Sequence, residues 1–260
     1  MKIGFCGCGN MGSAILGGII ESNVLSQEDI FINEPSEENI ERIYNKYERV
    51  NFLKSNKEVA EKSDFIFIAV KPYLYKEVLV DIKENLNRKK TVITIAPGIS
   101  IEDTKNMISN KAKVARTMPN TPALVRSGMT AVSFDEEITQ GEKTNLISIL
   151  ESFGEVEEIK ETLMDHVPAV SGSSPAYVYM MIEAMADGAV KAGIPRNKAY
   201  KFAAQAVMGA AKMVIETGAH PGMLKDAVCS PGGTTIKSVA KLEEKGFRSS
   251  IIEAMKECYM

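Results

Sequence analysis

At 260 residues the chain is long enough for one large domain or two modest ones with ample core. A hydrophobic share of 45% and a charged share of 25% are those of an ordinary globular protein, and a net charge of −3 gives no reason to expect nucleic acid or an anionic membrane as partner. No apolar run reaches the ~18 residues of a membrane span, and Met1-Lys2-Ile3 opens directly into a strand pattern, so a cytoplasmic protein without signal peptide is expected.

Lys2 to Cys6 reads as a short buried strand that runs into Gly7-Cys8-Gly9-Asn10-Met11-Gly12, a G-x-G-x-x-G pattern. Ile15, Leu16, Ile19 and Ile20 continue it as a helix. Strand, glycine turn and helix in this order are the context of a dinucleotide fingerprint. Gly7 allows the tight turn, Gly9 lets a pyrophosphate approach the backbone, and Gly12 lets helix and strand pack closely. Asp29 to Asn33 is the expected second strand, and Glu34 stands where the fold reads the adenosine ribose. A carboxylate there accepts hydrogen bonds from ribose hydroxyls and repels a 2′-phosphate, which favours NADH over NADPH. No arginine follows at once in Pro35-Ser36-Glu37-Glu38; the competing reading of Glu34 is a solvated loop charge.

A helix is expected over Glu37 to Tyr47 and a short strand near Val50 to Leu53. Asp64 to Val70, DFIFIAV, has the continuous apolar run of a parallel strand buried on both faces. It ends in Lys71-Pro72, where proline can open a helix through Leu86. Ligands bind at the carboxyl ends of such strands, so Lys71 is a cofactor-contact candidate beside its reading as a surface lysine. Thr91 to Ala96 and Lys113 to Arg116 are further strands, the second followed by the proline-restricted loop MPNTP (Met118 to Pro122). Met129 to Phe134 and Gly154 to Ile159 complete seven or eight strands alternating with helices, an α/β doubly wound sheet over residues 1–161.

From Thr162 strand patterns stop, and residues 162–260 read as an all-helical domain. Ser171 to Pro175 opens a long helix that ends before Gly193. Arg196 to Thr217 is a second helix, rich in alanine and containing Gly209. Their wide apolar surfaces predict that this half completes its core against a second subunit. Gly218 ends the second helix, and His220-Pro221-Gly222 forms a loop. The chain then reaches KDAVCSPGGTTI, Lys225 to Ile236. Here Ser230-Pro231 starts a turn, Gly232-Gly233 allows tight geometry, and Thr234 or Thr235 can cap the next helix. The N–H groups of that helix start suit either a plain cap or a small anion such as a carboxylate.

The four cysteines, Cys6, Cys8, Cys229 and Cys258, form no CxxC pair, and only His166 and His220 supply imidazoles, so no metal site is expected. A dinucleotide fold joined to an anion-binding turn points to hydride transfer onto a small carboxylate-bearing substrate. Scarcity of histidine favours reduction of a C=N bond, whose iminium is already electrophilic, over oxidation of a hydroxyl that recruits a base. Thr235 is the candidate hydroxyl for the ring nitrogen. The alternatives are a 3-hydroxyacid dehydrogenase-like enzyme, which needs a catalytic lysine or base in the helical half where Lys191 reads as structural in a stripe of charges, and a nucleotide-sensing protein without turnover.

The same residues resemble the pyrroline-5-carboxylate reductases of proline biosynthesis over nearly the whole chain. FCGCGNMGSAI, AVKP (Ala69 to Pro72), MPNTP, SGSSPAY (Ser171 to Tyr177), HPGMLKDAVCSPGGTTI (His220 to Ile236) and EKGFR (Glu244 to Arg248) carry the likeness. It implies reduction of 1-pyrroline-5-carboxylate to L-proline by NADPH or NADH, with related cyclic imines as alternative substrates. It also implies a Rossmann-type domain and a helical dimerisation domain, with dimers that often form decamers and a site shared between subunits. By this resemblance the pyrophosphate lies over Gly7, Cys8, Gly9, Asn10 and Met11, and Glu34 and Asn56 face the adenosine ribose. Ala69, Val70, Lys71, Pro72 and Ala96 line the nicotinamide side. Ser230 and the turn Gly232, Gly233, Thr234 and Thr235 hold the substrate carboxylate, with the Thr235 hydroxyl on the ring nitrogen. The chain departs from the usual pattern at Glu34, where a small or hydroxyl residue is common, and at Ala96-Pro97-Gly98, where AAG is usual.

Overall fold

The computed structural model describes residues 1–259. They form two compact units, Met1–Gly172 together with Tyr259, and Ser173–Cys258.

The first unit is built on an eight-stranded sheet. Its strands are β1 (Ile3–Cys6), β2 (Ile30–Asn33), β3 (Asn51–Phe52), β4 (Phe65–Ile68), β5 (Thr91–Thr94), β6 (Lys113–Met118), β7 (Gly128–Phe134) and β8 (Gly154–Glu158). In space they run β3-β2-β1-β4-β5-β6-β7-β8. The chain therefore moves outward from β1 through β2 to β3, then crosses back to lay β4 on the other side of β1. That reversal leaves a crevice beyond the carboxyl ends of β1 and β4, the usual ligand position in open α/β sheets. Every pair is parallel except β6 with β7. The alternating pattern did not announce that exception. Its cause is local: residues 119–127 contain only a short 3-10 turn (Thr121–Val125) and no crossover helix, so β7 must return beside β6 in the opposite sense.

Helices α1 (Asn10–Glu21), α2 (Glu37–Tyr44), α3 (Asn56–Lys62), α4 (Tyr75–Ile82), α5 (Ile101–Met107) and α6 (Gln140–Glu151) connect the strands. Ser36, Ser55, Ser100 and Thr139 cap α2, α3, α5 and α6 through their hydroxyls. Each such cap contributes about 1 kcal/mol. Strand alternation sorts the core into two layers. Phe5, Phe67 and Ile93 lie with Ile15, Leu16 and Ile19 of α1, whereas Ile66, Ile68 and Val92 lie with Leu79 and Ile82 of α4. Phe5 stacks on Phe67 at a centroid distance of 5.1 Å, and burial of each ring stabilises the sheet by roughly 1.5–3 kcal/mol. Cys6 is a fully buried member of this core, and burial pushes its thiol far above the ordinary range. Pro72 opens a 3-10 turn in place of the expected α-helix. The Leu74 N–H bonds back to Lys71, and α4 runs only to Ile82 before a second 3-10 turn.

The second unit holds α7 (Ser174–Lys191), α8 (Arg196–Thr217), α9 (Pro221–Ala227), α10 (Thr234–Glu244) and α11 (Phe247–Lys256), with no strand among its described residues. Gly218, at φ +61°, ends α8 as expected. The expected loop at His220-Pro221-Gly222 is instead the start of α9. Pro221 takes a first-turn position where its missing N–H costs nothing, and His220 Nδ1 accepts the Gly222 N–H at 3.1 Å. Within this unit α7 buries only Ala186, and α8 only Ala199 and Ala203, so large apolar side chains stand free on both. Among the described residues no helix is long and apolar enough to cross a membrane.

Candidate functional site

Two features of the molecule fit small-ligand chemistry, one in each unit. The first is a cleft of about 560 Å³ at the carboxyl ends of β1, β2, β4, β5 and β6. Its floor is the glycine turn. Gly7 sits at φ +80°, and a side chain there would strike Val70 Cγ1 at 2.7 Å, so only glycine allows the turn to close. Gly9 differs: a side chain there would meet no protein atom within 4 Å and would project into open space. Absence of a side chain at Gly9 therefore serves the cleft and not the packing of the chain. Gly9 is also the N-cap of α1, which has no side-chain cap and no acidic residue in its first turn. The amides at this helix start are open to an anion.

Glu34 closes one end of the cleft. Its Oε2 accepts the Cys8 N–H at 2.6 Å, and its Oε1 accepts the Ser36 N–H at 3.0 Å and the Asn39 amide at 3.2 Å. These bonds fasten the end of β2 to the glycine turn. The Cys8 side chain points away into the core, where burial first of all pushes its thiol up to about 12. Ala69, Val70, Lys71 and Pro72 from the end of β4 and Ala96 after β5 line the cleft together with Gly7, Gly9, Asn10, Met11 and Glu34. Cys8 and Asn56 are not among its lining residues. Asn56 is the first residue of α3, and its Oδ1 is buried without a partner.

The second feature is the turn before α10. The expectation that Thr234 or Thr235 caps this helix is not met. Gly233 is the N-cap, without any side-chain cap bond, and the two threonines occupy the first helical positions. The Gly233 N–H donates to the Ser230 carbonyl at 3.0 Å, which closes the turn and removes that amide as a donor to a ligand. A side chain at Gly233 would lie 2.5 Å from Ser230 Oγ, so the serine hydroxyl would have to turn aside. Thr234 and Thr235 are exposed, and the donors left at the helix start are their own amides and hydroxyls and the hydroxyl of Ser230.

Comparison with known proteins bears on both features. Residues 161–260 match the family model described as pyrroline-5-carboxylate reductase dimerisation, and residues 2–98 match that described as NADP oxidoreductase coenzyme F420-dependent. The chain is 51% identical to the pyrroline-5-carboxylate reductase of Escherichia coli, over 99% of this chain and 95% of that one. Among solved structures, the Plasmodium falciparum pyrroline carboxylate reductase with NADP bound superposes with a TM-score of 0.89 at 34% identity, covering 99% of this chain and 95% of that one. The Coxiella burnetii pyrroline-5-carboxylate reductase gives 0.91 at 31% identity, covering 99% and 96%. The chain belongs to the pyrroline-5-carboxylate reductase family.

In this member of the pyrroline-5-carboxylate reductase family the cleft has walls that sequence reasoning did not assign. Pro119, Thr121 and Leu124, from and just after the MPNTP loop, line it beyond β6, as do Ile95 and Pro97 beyond β5 and Asn39 on α2. Two prolines within five residues directly after a strand were the available signal for the first group. Arg42 was also missed. It lies a turn beyond Asn39 on α2, and its Nη2 donates to Ser13 Oγ at 3.1 Å on the first turn of α1. Only the fold brings that charge beside the glycine turn.

Proposed function

We propose that this chain reduces the C=N bond of 1-pyrroline-5-carboxylate to give L-proline, the last step of proline biosynthesis, with a nicotinamide cofactor in the β1–β4 cleft. The observation that carries the chemistry is the open start of α10, a helix whose first amides have no side-chain cap, in a chain that also carries a dinucleotide cleft. The residues of the cleft fit the cofactor. A volume of about 560 Å³ lies within the usual range of cofactor sites, and Gly9 leaves clear the space a pyrophosphate needs. When bound, the reduced nicotinamide supplies the hydride.

The protein's own residues bind, orient and donate. Asn10 and Met11 at the start of α1 meet the pyrophosphate with backbone amides, and the helix dipole favours its charge. Glu34 receives the ribose hydroxyls and repels a 2′-phosphate, so NADH serves at least as well as NADPH. Ala69, Val70, Lys71, Pro72 and Ala96 flank the nicotinamide. The substrate carboxylate rests on the amides of Thr234 and Thr235 with the Ser230 hydroxyl, while Gly232 and Gly233 shape the turn. The Thr235 hydroxyl, freed from capping, addresses the ring nitrogen. The helical unit joins a second copy as a homodimer, the building block of a decamer, and the enzyme works in the cytoplasm.

The test is oxidation of NADH and of NADPH, side by side, with pyrroline-5-carboxylate and with its six-membered analogue. Turnover of the five-membered imine is expected; cofactor binding without turnover of either would reject the reading. Thr235→Ala is expected to lower kcat by about tenfold or more while cofactor affinity stays within about threefold. An unchanged kcat would remove Thr235 from the reaction.

A further inference from the structure

We infer that Asn120 is a positioning residue: it holds the MPNTP wall of the cleft in place through both ends of its side-chain amide. This rests on the reading of the cleft as the cofactor site.

An asparagine at the start of a turn ordinarily bonds its own turn. Asn120 does not. It precedes the 3-10 turn Thr121–Val125 but makes no side-chain cap there. The residue is only 9% exposed, and its side chain spans outward in two directions. Oδ1 accepts the Met129 N–H at 2.8 Å, and Nδ2 donates to the Ser171 carbonyl at 2.9 Å.

The first bond has a geometric meaning. Strands β6 and β7 pair antiparallel with Thr117 opposite Val132 and Met118 opposite Ala131. Continued by two residues, that register sets Asn120 opposite Met129. The side chain thus supplies the next rung of the ladder at the point where the backbone turns away. The second bond ties the same residue to the chain just before α7. Asn120 is flanked by Pro119 and Thr121, and both line the cleft beyond β6. Proline limits how far the backbone can adjust on one side, and the ladder rung fixes the other. Loss of the amide would leave the Met129 N–H and the Ser171 carbonyl unpaired and would release Pro119 and Thr121 together. The wall they form lies at the end of the cleft away from Glu34, where the reacting ring is assigned, so the expected defect is in hydride transfer and not in cofactor affinity.

The experiment compares the wild-type protein with Asn120→Ala and Asn120→Asp. In each, kcat is normalised to NADH-binding sites counted by NADH fluorescence titration, so that a misfolded fraction does not enter. Asn120→Ala is expected to lose about tenfold to a hundredfold in normalised kcat. Its Kd for NADH should stay within about threefold of wild type, and the isotope effect on kcat with NADH deuterated at the transferred position should rise. Asn120→Asp separates positioning from bulk structure. Its ionised carboxylate sets negative charge against the Ser171 carbonyl, whereas its neutral carboxyl both accepts from Met129 and donates to Ser171. The ratio of variant to wild-type kcat should therefore climb as pH falls from about 8 to about 5, towards the carboxylate range. Normalised kcat equal to wild type in Asn120→Ala, or a ratio for Asn120→Asp that is flat with pH, would overturn the inference while leaving the cleft assignment standing. A wild-type protein that neither binds NADH nor turns over would overturn both.

Discussion

Glu34 is held by three donors, the backbone amides of Cys8 and Ser36 and the side-chain amide of Asn39, and so acts as a resident anion at the mouth of the cleft. Two consequences have opposite signs for the two cofactors. A carboxylate held this firmly presents a fixed acceptor to ribose hydroxyls, and it opposes any second anion brought to the same place. Replacement by a small hydroxyl residue removes the repulsion and frees the Ser36 and Asn39 donors, with Arg42 one turn further along α2. Glu34→Ser is therefore expected to raise the NADPH/NADH ratio of kcat/KM by about tenfold to a hundredfold, roughly 1.4–2.7 kcal/mol of changed discrimination. Steady-state kinetics with both cofactors on wild type and variant checks this, and a ratio that does not move would place Glu34 outside the ribose contact.

The element that carries the cofactor reading is the unit β1, glycine turn and α1, and here local sequence was a good guide. Glycines spaced as Gly7, Gly9 and Gly12 between an apolar strand and an apolar helical stripe admit few other geometries, and the structure has Gly7 at positive φ and Gly9 opening on empty space. Gly9→Val tests it cleanly. The backbone at Gly9 is extended, with φ −68°, and a side chain there touches nothing, so the fold should be retained with a stability change of no more than about 1 kcal/mol. NADH affinity should fall at least about a hundredfold because the valine fills the path of the pyrophosphate. Retained affinity in a fluorescence titration would count against the N-terminal site. Legibility was poorer where spatial neighbours decide the outcome. The cap of α10 was assigned to Thr234 or Thr235 on residue type, but the bond from Gly233 to Ser230 closes the turn one residue earlier. The antiparallel turn into β7 depends on the lack of a crossover helix in residues 119–127, and Asn120 acts on Met129 and Ser171, the latter far along the chain. Residue type and spacing carry no record of such long-range partners.

The whole molecule raises a question that one chain cannot answer by its own packing, namely what covers the apolar faces of the second unit. Along α8, Phe202, Ala206, Gly209 and Met213 fall on one face at helical spacing, with Phe202 67% exposed and Met213 51% exposed. Gly209 lies in the middle of this stripe and in the middle of a long helix, where glycine costs about 0.5–1 kcal/mol relative to alanine. Among the described residues, nothing beyond the helix's own backbone lies within 4 Å of the place its Cβ would take. An isolated unit would therefore gain from a larger residue, and the absence of one is explained if the backbone of a second copy approaches there, in keeping with the dimerisation family matched by residues 161–260. Gly209→Leu gives these two situations opposite signs. If α8 faces solvent, the leucine raises helix propensity, stabilises the protein and leaves its association state alone. If α8 faces a partner, the leucine collides. In a two-fold assembly the collision occurs once from each subunit, so the penalty is counted twice. The expected outcome is a dissociation constant raised by at least about tenfold in sedimentation equilibrium, with the far-ultraviolet circular dichroism of a folded helical protein preserved. A higher melting temperature with unchanged association would assign Gly209 and its stripe to solvent and move the dimer contact to another face.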